Sequence, residues 1–337
     1  MQLSDKFSTG NQPLLTIAIP TYNRACYLDL CLKRINDEIG NLSEVQRYLV
    51  KVYVSDNASL DDTPEVIAQY QEVLGGAFEA IRNPDNIGPD ANFVQCYESA
   101  ITPYVWIIGD DDVLLPGGLQ KVLDELIKNE IDILYVNNYW FKDSYKEKPR
   151  KREKHRSSPF RSALAFACRT NVMLTFVSGL IVRSGMGSNY RSELADSNLV
   201  QLSWVLPLLR DGKYFAVIED WVVAAKGGNS GGYELVKVFG NNLKKITELI
   251  LKDQPKIAKA IQNGALIKFF PGFIMAFRKG SSRFADEDMA FGLQQVFDDN
   301  WRYHVFIAPL IKMPLYLSWC YYYLVRLFVY SAGMLLI

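Results

Sequence analysis

The sequence predicts an α/β protein in which helices flank a mostly parallel sheet, followed by a helical C-terminal region. Two observations predict the sheet: short apolar runs alternate with segments of helical periodicity up to residue 137, and polar residues directly follow several of the runs. A third observation, helical spacing of apolar residues from Tyr233 onward, predicts the helical region. We therefore expect one domain over residues 1–228 and a helical region over residues 229–337.

The first half of the chain reads as a series of βαβ units. Apolar runs predict strands at residues 14–19, 50–55, 78–81, 104–108 and 131–136. Amphipathic patterns between them predict helices around residues 27–35, 66–70, 90–100 and 118–129. Strands that alternate with helices in this way favour parallel pairing with right-handed crossovers.

The second half is less regular in its pattern. Residues 138–172 read as irregular, residues 176–183 as a strand, residues 199–209 as a helix, and residues 214–219 and 221–225 as closing strands. The glycine-rich stretch 226–232 is either a loop that closes over a ligand and excludes water, or a plain linker.

Composition limits the possible partners and chemistry. Lys and Arg together number 37, as do Asp and Glu, so no overall positive field indicates nucleic acid binding. Five cysteines without a CxxC pair are typical of reduced thiols in a cytosolic setting, and the start of the chain lacks the apolar core of an export signal. Only two histidines, His155 and His304, occur, and their separation gives no support to a zinc site or a histidine-based triad.

Three adjacent carboxylates, Asp110, Asp111 and Asp112, follow the fourth predicted strand. Open α/β sheets bind their ligands at the carboxyl ends of the strands. Because Mg²⁺ typically takes one or two carboxylates and completes its shell with water and substrate phosphates, the triplet predicts a metal-bridged diphosphate site. The alternative is a solvated acidic turn in which one Asp caps the helix after Pro116.

Four segments of the first half resemble the family 2 glycosyltransferases with the GT-A fold. They are IAIPTYNRACYL, VYVSDNASLDDT, NPDNIGPDANF and IIGDDDVLLPGGL, and each contains a polar loop next to a predicted element. The form GDDDVLLPGGL, together with VSDNAS and the pattern NxGxxxNF, is most similar to a bacterial subgroup that includes abequosyltransferases of O-antigen synthesis. The resemblance implies a GT-A type, Rossmann-like sheet and a hexosyltransferase activity.

By this resemblance, the loops after the strands bind a nucleotide-sugar. The implied nucleotide-sugar-binding residues are Pro20, Thr21, Tyr22, Arg24, Asp56, Asn86, Asn92, Asp110 and Asp111. The DxD role of the family falls on Asp110 and Asp112, which would hold Mn²⁺ or Mg²⁺ and help to neutralise the departing diphosphate. For Asp56 the alternative is a local Asx-turn or a helix cap near Thr63.

A general base is expected after residue 190. Inverting members of the family often place it within an adjacent Glu-Asp pair, and this chain lacks such a pair there. Asp196 is the first candidate and Glu193 the second, while the alternative is that Asp196 and Ser197 cap the following helix. A transferase that retains the configuration of the donor sugar would need no conventional base, so the stereochemistry stays open.

The remaining features concern membranes. Residues 146–156 carry seven basic and two acidic side chains. Such a charge run is typical of a solvated loop. The alternative is contact with an anionic partner, either the membrane surface or the diphosphate of a lipid-linked acceptor. Residues 305–337 contain only Lys312 and Arg326 as charges. We expect helices that lie in the membrane interface. One alternative is a single membrane span after Met313, and another is a buried helix pair or an oligomer contact. The number of subunits stays open.

The resemblance, together with these features, implies a metal-dependent glycosyltransferase at the cytoplasmic face of the bacterial inner membrane. Its donor would be a CDP-, UDP- or GDP-linked sugar, with CDP-abequose as the first choice, and its acceptor a polyprenyl-diphosphate-linked glycan. The alternatives are a nucleotide-sugar-binding protein without transfer activity, and a nucleotidyltransferase. The latter generally needs a glycine-rich basic loop near the N-terminus, and residues 20–28 contain one Arg and no Gly.

Overall fold

The computed structural model describes residues 12–149, 156–185, 190–228, 232–281, 284 and 287–336, with side chains as far as Val329. Within these residues nine strands form one sheet. They are β1 Leu15–Thr21, β2 Val50–Asp56, β3 Phe78–Arg82, β4 Tyr104–Ile107, β5 Val113–Leu114, β6 Ile133–Phe141, β7 Ser157–Phe160, β8 Leu180–Arg183 and β9 Phe215–Lys226.

The sheet order is β3-β2-β1-β4-β8-β6-β9-β5, with β7 also paired to β9. β1, β2, β3 and β4 pair in parallel, as do β6 and β9, whereas β8 runs antiparallel to its neighbours β4 and β6. The mostly parallel α/β fold predicted from the sequence is therefore confirmed. Its parallel strands end together at one edge, where the loop residues meet.

Helices connect the strands of this sheet. In chain order they are α1 Ala25–Gly40, α2 Glu44–Arg47, α3 Thr63–Leu74, α4 Pro89–Glu98, α5 Gly118–Lys128, α6 Ala163–Thr170 and α7 Leu202–Asp211. Amphipathic α5 shows how the pattern specifies the packing, because Leu119, Val122, Leu123 and Leu126 recur at helical spacing and are fully buried.

The two faces of the sheet carry separate cores, as the alternation of side chains along a strand requires. Ile17 and Trp106 point into a core shared with α1, α3 and α5, while their neighbours Ala18 and Val105 belong to the opposite core. Helices α4, α6 and α7 cover that second face, where Tyr97 stacks on Trp204 with ring centroids 4.5 Å apart. Covering on both faces explains why β1 is apolar and buried along its whole length.

The C-terminal helices extend the second core. They are α8 Leu243–Ile250, α9 Pro255–Gly264, α10 Phe270–Arg278, α11 Met289–Phe297, α12 Ala308–Lys312 and α13 Leu315–Leu336, with π-helical turns at Lys237–Asn242, Ala265–Phe269 and Tyr303–Ile307. Leu243, Ile261 and Leu310 are buried in the same core as Val105 of β4. The helical prediction for this region is confirmed.

One helical run of the described residues, Pro255–Arg278, is long and apolar enough to cross a membrane. Two thirds of its most apolar window, 67%, is buried inside the protein, so the run packs as a core helix. The last helix, α13, instead presents a large apolar surface to solvent, which is described with the proposed function below.

Three predictions about the second half were wrong. Residues 138–172 are not irregular, because β6 continues to Phe141 and β7 and α6 follow. Residues Val177–Gly179 form a 3-10 turn before β8 instead of strand. The two predicted closing strands are one strand, β9, in which the register with β6 jumps from Val136 opposite Ile218 to Asn137 opposite Trp221. Such a bulge interrupts the alternation by which a strand is recognised in sequence.

Candidate active site

The acidic triplet lies in a tight turn directly after β4. The backbone N–H of Asp112 donates to the carbonyl oxygen of Gly109 over 3.0 Å, and the N–H of Gly109 donates to Oγ of Ser178 over 2.9 Å. A Cβ atom at Gly109 would lie 3.3 Å from carboxylate oxygens of both Asp111 and Asp112. Glycine at this position therefore lets the carboxylates fold back beside the strand end.

The loop after β1 meets the first two carboxylates of the triplet. The hydroxyl of Thr21 donates to Oδ2 of Asp110 over 2.8 Å. One guanidinium nitrogen of Arg24 contacts Oδ1 of Asp110 at 3.1 Å and Oδ2 of Asp111 at 2.7 Å. The structure thus brings together four of the predicted binding residues, Thr21, Arg24, Asp110 and Asp111, although 89 residues separate the first contact pair.

The third carboxylate has a different environment. Oδ1 of Asp112 accepts a hydrogen bond from the backbone N–H of Lys226 over 2.8 Å, and the hydroxyl of Ser178 also bonds to this side chain. The ammonium group of Lys226 is turned away, 5.2 Å from the ring centroid of Phe141. Among the described residues, no cationic side chain forms an ion pair with Asp112.

Burial dominates the electrostatics of the triplet. Asp110 and Asp112 are each only 5% exposed. Burial raises the pKa of Asp110 to about 6, although the Arg24 charge lowers it, and raises the pKa of Asp112 to about 7, with Asp111 adding a like-charge contribution. The site therefore holds carboxylates whose negative charge is poorly compensated near neutral pH.

This burial shows that the triplet is not the solvated acidic turn that the sequence left as an alternative. The helix-capping alternative is also wrong, because the N-cap of α5 is Gly117 and no side chain caps that helix. Within the described part of the chain, no three His, Cys, Asp or Glu side chains group to hold a metal ion by themselves. Two carboxylates completed by substrate phosphates remain compatible with the donor set that Mg²⁺ prefers.

Asp56 lies fully buried at the carboxyl end of β2, next to the β1 loop. Its Oδ1 accepts from the N–H of Ser59 over 2.9 Å, so the local turn considered from the sequence does form. Its Oδ2 has no hydrogen-bond partner and lies 3.6 Å from Nε of Arg82. Asp56 therefore accepts a backbone hydrogen bond through one oxygen and pairs with the charge of Arg82 through the other.

The predicted asparagines support the loops. Asn92 of α4 is buried, accepts from the Ser55 hydroxyl at 2.5 Å and donates to the Ser55 carbonyl at 3.1 Å, so it fastens α4 to β2. Asn86 accepts from the side chain of Asn57 over 2.7 Å and from the N–H of Gly88 over 2.9 Å. Both amides are used within the protein in this conformation.

The two other predicted residues of the β1 loop differ in exposure. Pro20 is buried, whereas Tyr22 is 40% exposed at the edge of the site and offers its ring to solvent.

The candidate bases lie on an exposed loop after residue 190. Asp196 and Glu193 are both exposed, and Asp196 adopts a φ of +60°, which is uncommon for a residue with a side chain. The loop is tied to α4, because the carboxylate of Asp90 accepts from the N–H of Asn198 over 3.0 Å. The capping alternative is wrong, since the N-cap residue of α7 is Gln201.

An adjacent Glu-Asp pair does occur in the chain, at Glu219 and Asp220, where sequence reasoning overlooked it. Glu219 accepts from the Ser158 hydroxyl over 2.9 Å and from Arg169 over 3.0 Å, and Asp220 pairs with Lys121 at 3.1 Å. Both carboxylates are buried in the bulge of β9. Their spacing in the sequence was the available signal, and their ion pairs indicate a role in holding the bulge.

Two predicted loops fall partly outside the described residues. The basic stretch 146–156 is described only at residues 146–149 and 156, and the glycine-rich stretch 226–232 only at residues 226–228 and 232. All five cysteines are free in the structure.

Comparison with known proteins decides the family. The model for "Glycosyl transferase family 2" matches residues 16–185, which is half of the chain and includes β1 to β8. The chain belongs to the family 2 glycosyltransferases. This agrees with the resemblance of its loop motifs.

Two curated relatives match part of the chain. The chain is 36% identical over 121 residues to the abequosyltransferase RfbV of Salmonella typhimurium. It is 28% identical over 114 residues to the GalNAc(5)-diNAcBac-PP-undecaprenol beta-1,3-glucosyltransferase of Campylobacter jejuni. Each match spans about a third of the relative's length, 34% in both cases.

Solved structures share the whole fold. Residues 1–349 of S. aureus TarS, in complex with UDP-GlcNAc, superpose with a TM-score of 0.58 at 16% identity, covering 95% of this chain and 92% of that one. A mannosyltransferase from Pyrobaculum calidifontis, in complex with GDP-Man and Mn²⁺, gives a TM-score of 0.51 at 15% identity, covering 96% and 91%. At these identities the likeness shows the GT-A fold alone.

Proposed function

We propose that this glycosyltransferase transfers a sugar from a nucleotide diphosphate donor to a lipid-linked glycan, with Mn²⁺ or Mg²⁺ bound between the acidic triplet and the donor diphosphate. The observation that carries the proposal is the state of Asp112, which is buried, bears a raised pKa and has no cationic partner among the described residues. A divalent ion is the partner that such an oxygen-rich, negatively charged edge would accept.

The triplet residues have separate roles in this proposal. Asp110 and Asp112 would hold the cation, which when bound would stabilise negative charge on the departing diphosphate. Thr21 and Arg24 fix the orientation of Asp110 through the contacts described above, and Arg24 holds Asp111. Oδ2 of Asp56 pairs with the charge of Arg82 but accepts no hydrogen bond from the described residues, which supports a hydrogen bond to the nucleoside. The exposed ring of Tyr22 supports packing against the nucleoside.

For the proton of the accepting hydroxyl we propose Asp196 as the base, with Glu193 second. The exposure of both side chains is compatible with contact to an acceptor. We propose CDP-abequose as the first donor to test, since the curated relative with the higher identity of the two is named an abequosyltransferase. UDP- and GDP-linked sugars follow, in keeping with the ligands of the structural neighbours.

The last helix supports attachment to the cytoplasmic face of a bacterial membrane. One side of α13 carries exposed apolar residues at helical spacing, and these are Leu315, Tyr316, Leu317, Tyr323, Leu324, Leu327 and Phe328. The opposite side, with Ser318 and Val325, is buried against the protein. A helix that is fixed on one side and apolar on the other suits insertion into the membrane interface.

The test is a panel of CDP-, UDP- and GDP-sugars, each with Mn²⁺, Mg²⁺ or a chelator, followed by thermal unfolding. A ligand that binds the folded state raises its apparent stability, by about 2.7 kcal/mol at a hundredfold excess over the Kd. We expect one nucleotide class to stabilise the protein only with cation, and Asp112→Asn to remove that effect.

The panel also separates the alternatives. Stabilisation by a nucleotide-sugar without any transfer to membrane-extracted lipid-linked glycans would favour a binding protein. Release of diphosphate from a nucleoside triphosphate and a sugar phosphate would favour a nucleotidyltransferase. Equal stabilisation with and without cation would contradict the metal role of the triplet.

A further inference from the structure

One large aromatic side chain next to the acidic triplet is left without a partner on its outer side. Trp140, near the end of β6, is 57% exposed, and its ring centroid lies 5.2 Å from that of Phe176, with the planes tilted by 52°. An exposed Trp on a rigid strand is costly to leave in water, and Trp is the residue type most enriched in binding hot spots. The exposed ring of Trp140 is suited to contact a ligand that has an apolar face.

Both rings are fixed to the site by short backbone connections. Trp140 lies opposite Ala225 in the β6–β9 register, and the next residue, Lys226, donates its N–H to Asp112. Phe176 is two residues before Ser178, whose hydroxyl accepts from Gly109 and also bonds to Asp112. The two rings, which contact each other, therefore lie on segments tied to the same carboxylate.

The order of the strands separates this position from the donor nucleoside. The nucleoside residues follow β1 and β2, the triplet follows β4, and β6 comes two strands further in the order β2-β1-β4-β8-β6. Adjacent strands are about 4.8 Å apart, so β6 lies about 10 Å beyond β4. A nucleotide that extends from β2 to the triplet would place its own sugar over β8, which leaves β6 for a second sugar.

A polar group accompanies the rings. Asn138 precedes Trp140 by two residues and so shares its face of the strand, and its Oδ1 accepts from the Tyr135 hydroxyl over 3.1 Å. Fixed in this way, the half-buried amide of Asn138 can direct its NH₂ group to a sugar hydroxyl. An aromatic face with one oriented amide is the combination that recognises a pyranose ring, which has C–H groups on its faces and hydroxyls around its rim.

We infer that Trp140 and Phe176, with Asn138, form the platform on which the accepting sugar of the glycan stacks. This inference rests on the proposed function and adds the specificity-determining residues on its acceptor side. The platform positions the sugar and takes no part in the chemistry.

The test compares Trp140→Ala and Trp140→Phe with Trp301→Ala, a matched control in which a similarly exposed Trp, 51%, is removed far along the chain. The probes are the methyl glycosides of mannose, rhamnose, galactose and N-acetylglucosamine, added with a nucleoside diphosphate and Mn²⁺. Binding is measured by saturation-transfer NMR, and acceptor KM and kcat by consumption of the donor. Thermal unfolding confirms that each variant is folded.

We expect Trp140→Ala to raise the KM for the glycoside at least about tenfold, the loss typical of a hot-spot aromatic, while the KM for the donor stays within about twofold. Trp140→Phe should recover part of the loss and Trp301→Ala should change neither value. NMR saturation of the sugar C–H protons should fall in parallel.

Three outcomes overturn the platform. The first is unchanged glycoside binding in Trp140→Ala. The second is loss of nucleotide-sugar affinity with unchanged glycoside binding, which would assign Trp140 to the donor sugar. The third is the absence of a Trp140-dependent NMR signal with every glycoside. Failure of the proposed function is seen separately, because no nucleotide-sugar would then stabilise the wild-type protein in the thermal panel.

Discussion

The replacement Asp112→Asn tests the electrostatics of the site without requiring a known substrate. In the folded protein the pKa of Asp112 is about 7, against an ordinary value of 3.8. Between these values the unfolded chain releases the proton while the folded protein keeps it, so the unfolded state binds fewer protons and stability falls as pH rises. The loss begins near pH 4 and is complete above about pH 7.

The size of this effect follows from the shift. A shift of about 3 pH units at 1.36 kcal/mol each amounts to about 4 kcal/mol for Asp112 in the absence of ligand. Asparagine keeps an oxygen that can accept from the Lys226 N–H but carries no charge. We therefore expect Asp112→Asn to be more stable than the wild type at pH 8, by up to about 4 kcal/mol, and nearly equal to it at pH 4.5.

The assay is thermal unfolding of both proteins from pH 4.5 to pH 8.5 in chelator. Unfolding entropies of about 2.1 cal/mol/K per residue convert 4 kcal/mol into about 6 °C for a chain of 337 residues. Addition of Mn²⁺ with a nucleoside diphosphate should close the gap by stabilising only the wild type. A variant less stable than the wild type at pH 8, or with the same pH slope, would refute the burial of an ionised Asp112.

Three further predictions concern neighbouring features. Arg24→Ala should raise the pH below which cation and nucleotide binding is lost, because the Arg24 charge lowers the pKa of Asp110. Calorimetry across pH measures this, with Arg210→Ala as the control, since Arg210 is a half-buried arginine that pairs with Asp211 outside the site. Asp196→Ala should reduce transfer at least about a hundredfold if it is the base, whereas normal turnover in a radiolabel assay would remove it from that role. The double replacement Leu324→Glu and Leu327→Glu should abolish flotation of the protein with anionic phospholipid vesicles and leave its melting temperature unchanged. Continued flotation would contradict the membrane role of α13, and so would a change from dimer to monomer measured by light scattering.

Much of the first half of the fold was predictable because its signals are local. A strand covered on both faces is an uninterrupted apolar run, and the loops after β1, β2 and β4 carry their polar residues within a few positions of the strand ends. The meeting of Arg24 with Asp110 followed from topology, since neighbouring parallel strands deliver their loops to one edge. The contact between these two loops could therefore be predicted whatever the number of residues between them.

The rest depends on contacts that a local pattern does not contain. One partner of Asp112 is a backbone N–H 114 residues away, which any amino acid other than proline can supply. The bulge at Glu219 and Asp220 is defined by the pairing of β9 with β6. The surroundings of the Trp140 ring likewise depend on Phe176, a residue distant in the sequence. The buried environment that raises the pKa of Asp112 is likewise set by packing, so the same three letters DDD would also describe a solvated turn.

Positive charge is distributed unequally around the triplet, and this bears on which carboxylate would hold the proposed metal. Arg24 neutralises part of Asp110 and Asp111 through contacts of 3.1 and 2.7 Å, whereas the ammonium group of Lys226 points away from Asp112. In the proposed role, the free energy spent on ionising Asp112 in the folded protein would be recovered when a cation binds with the donor. We therefore expect metal and diphosphate to bind together more tightly than either alone, because each would supply the charge that the other lacks.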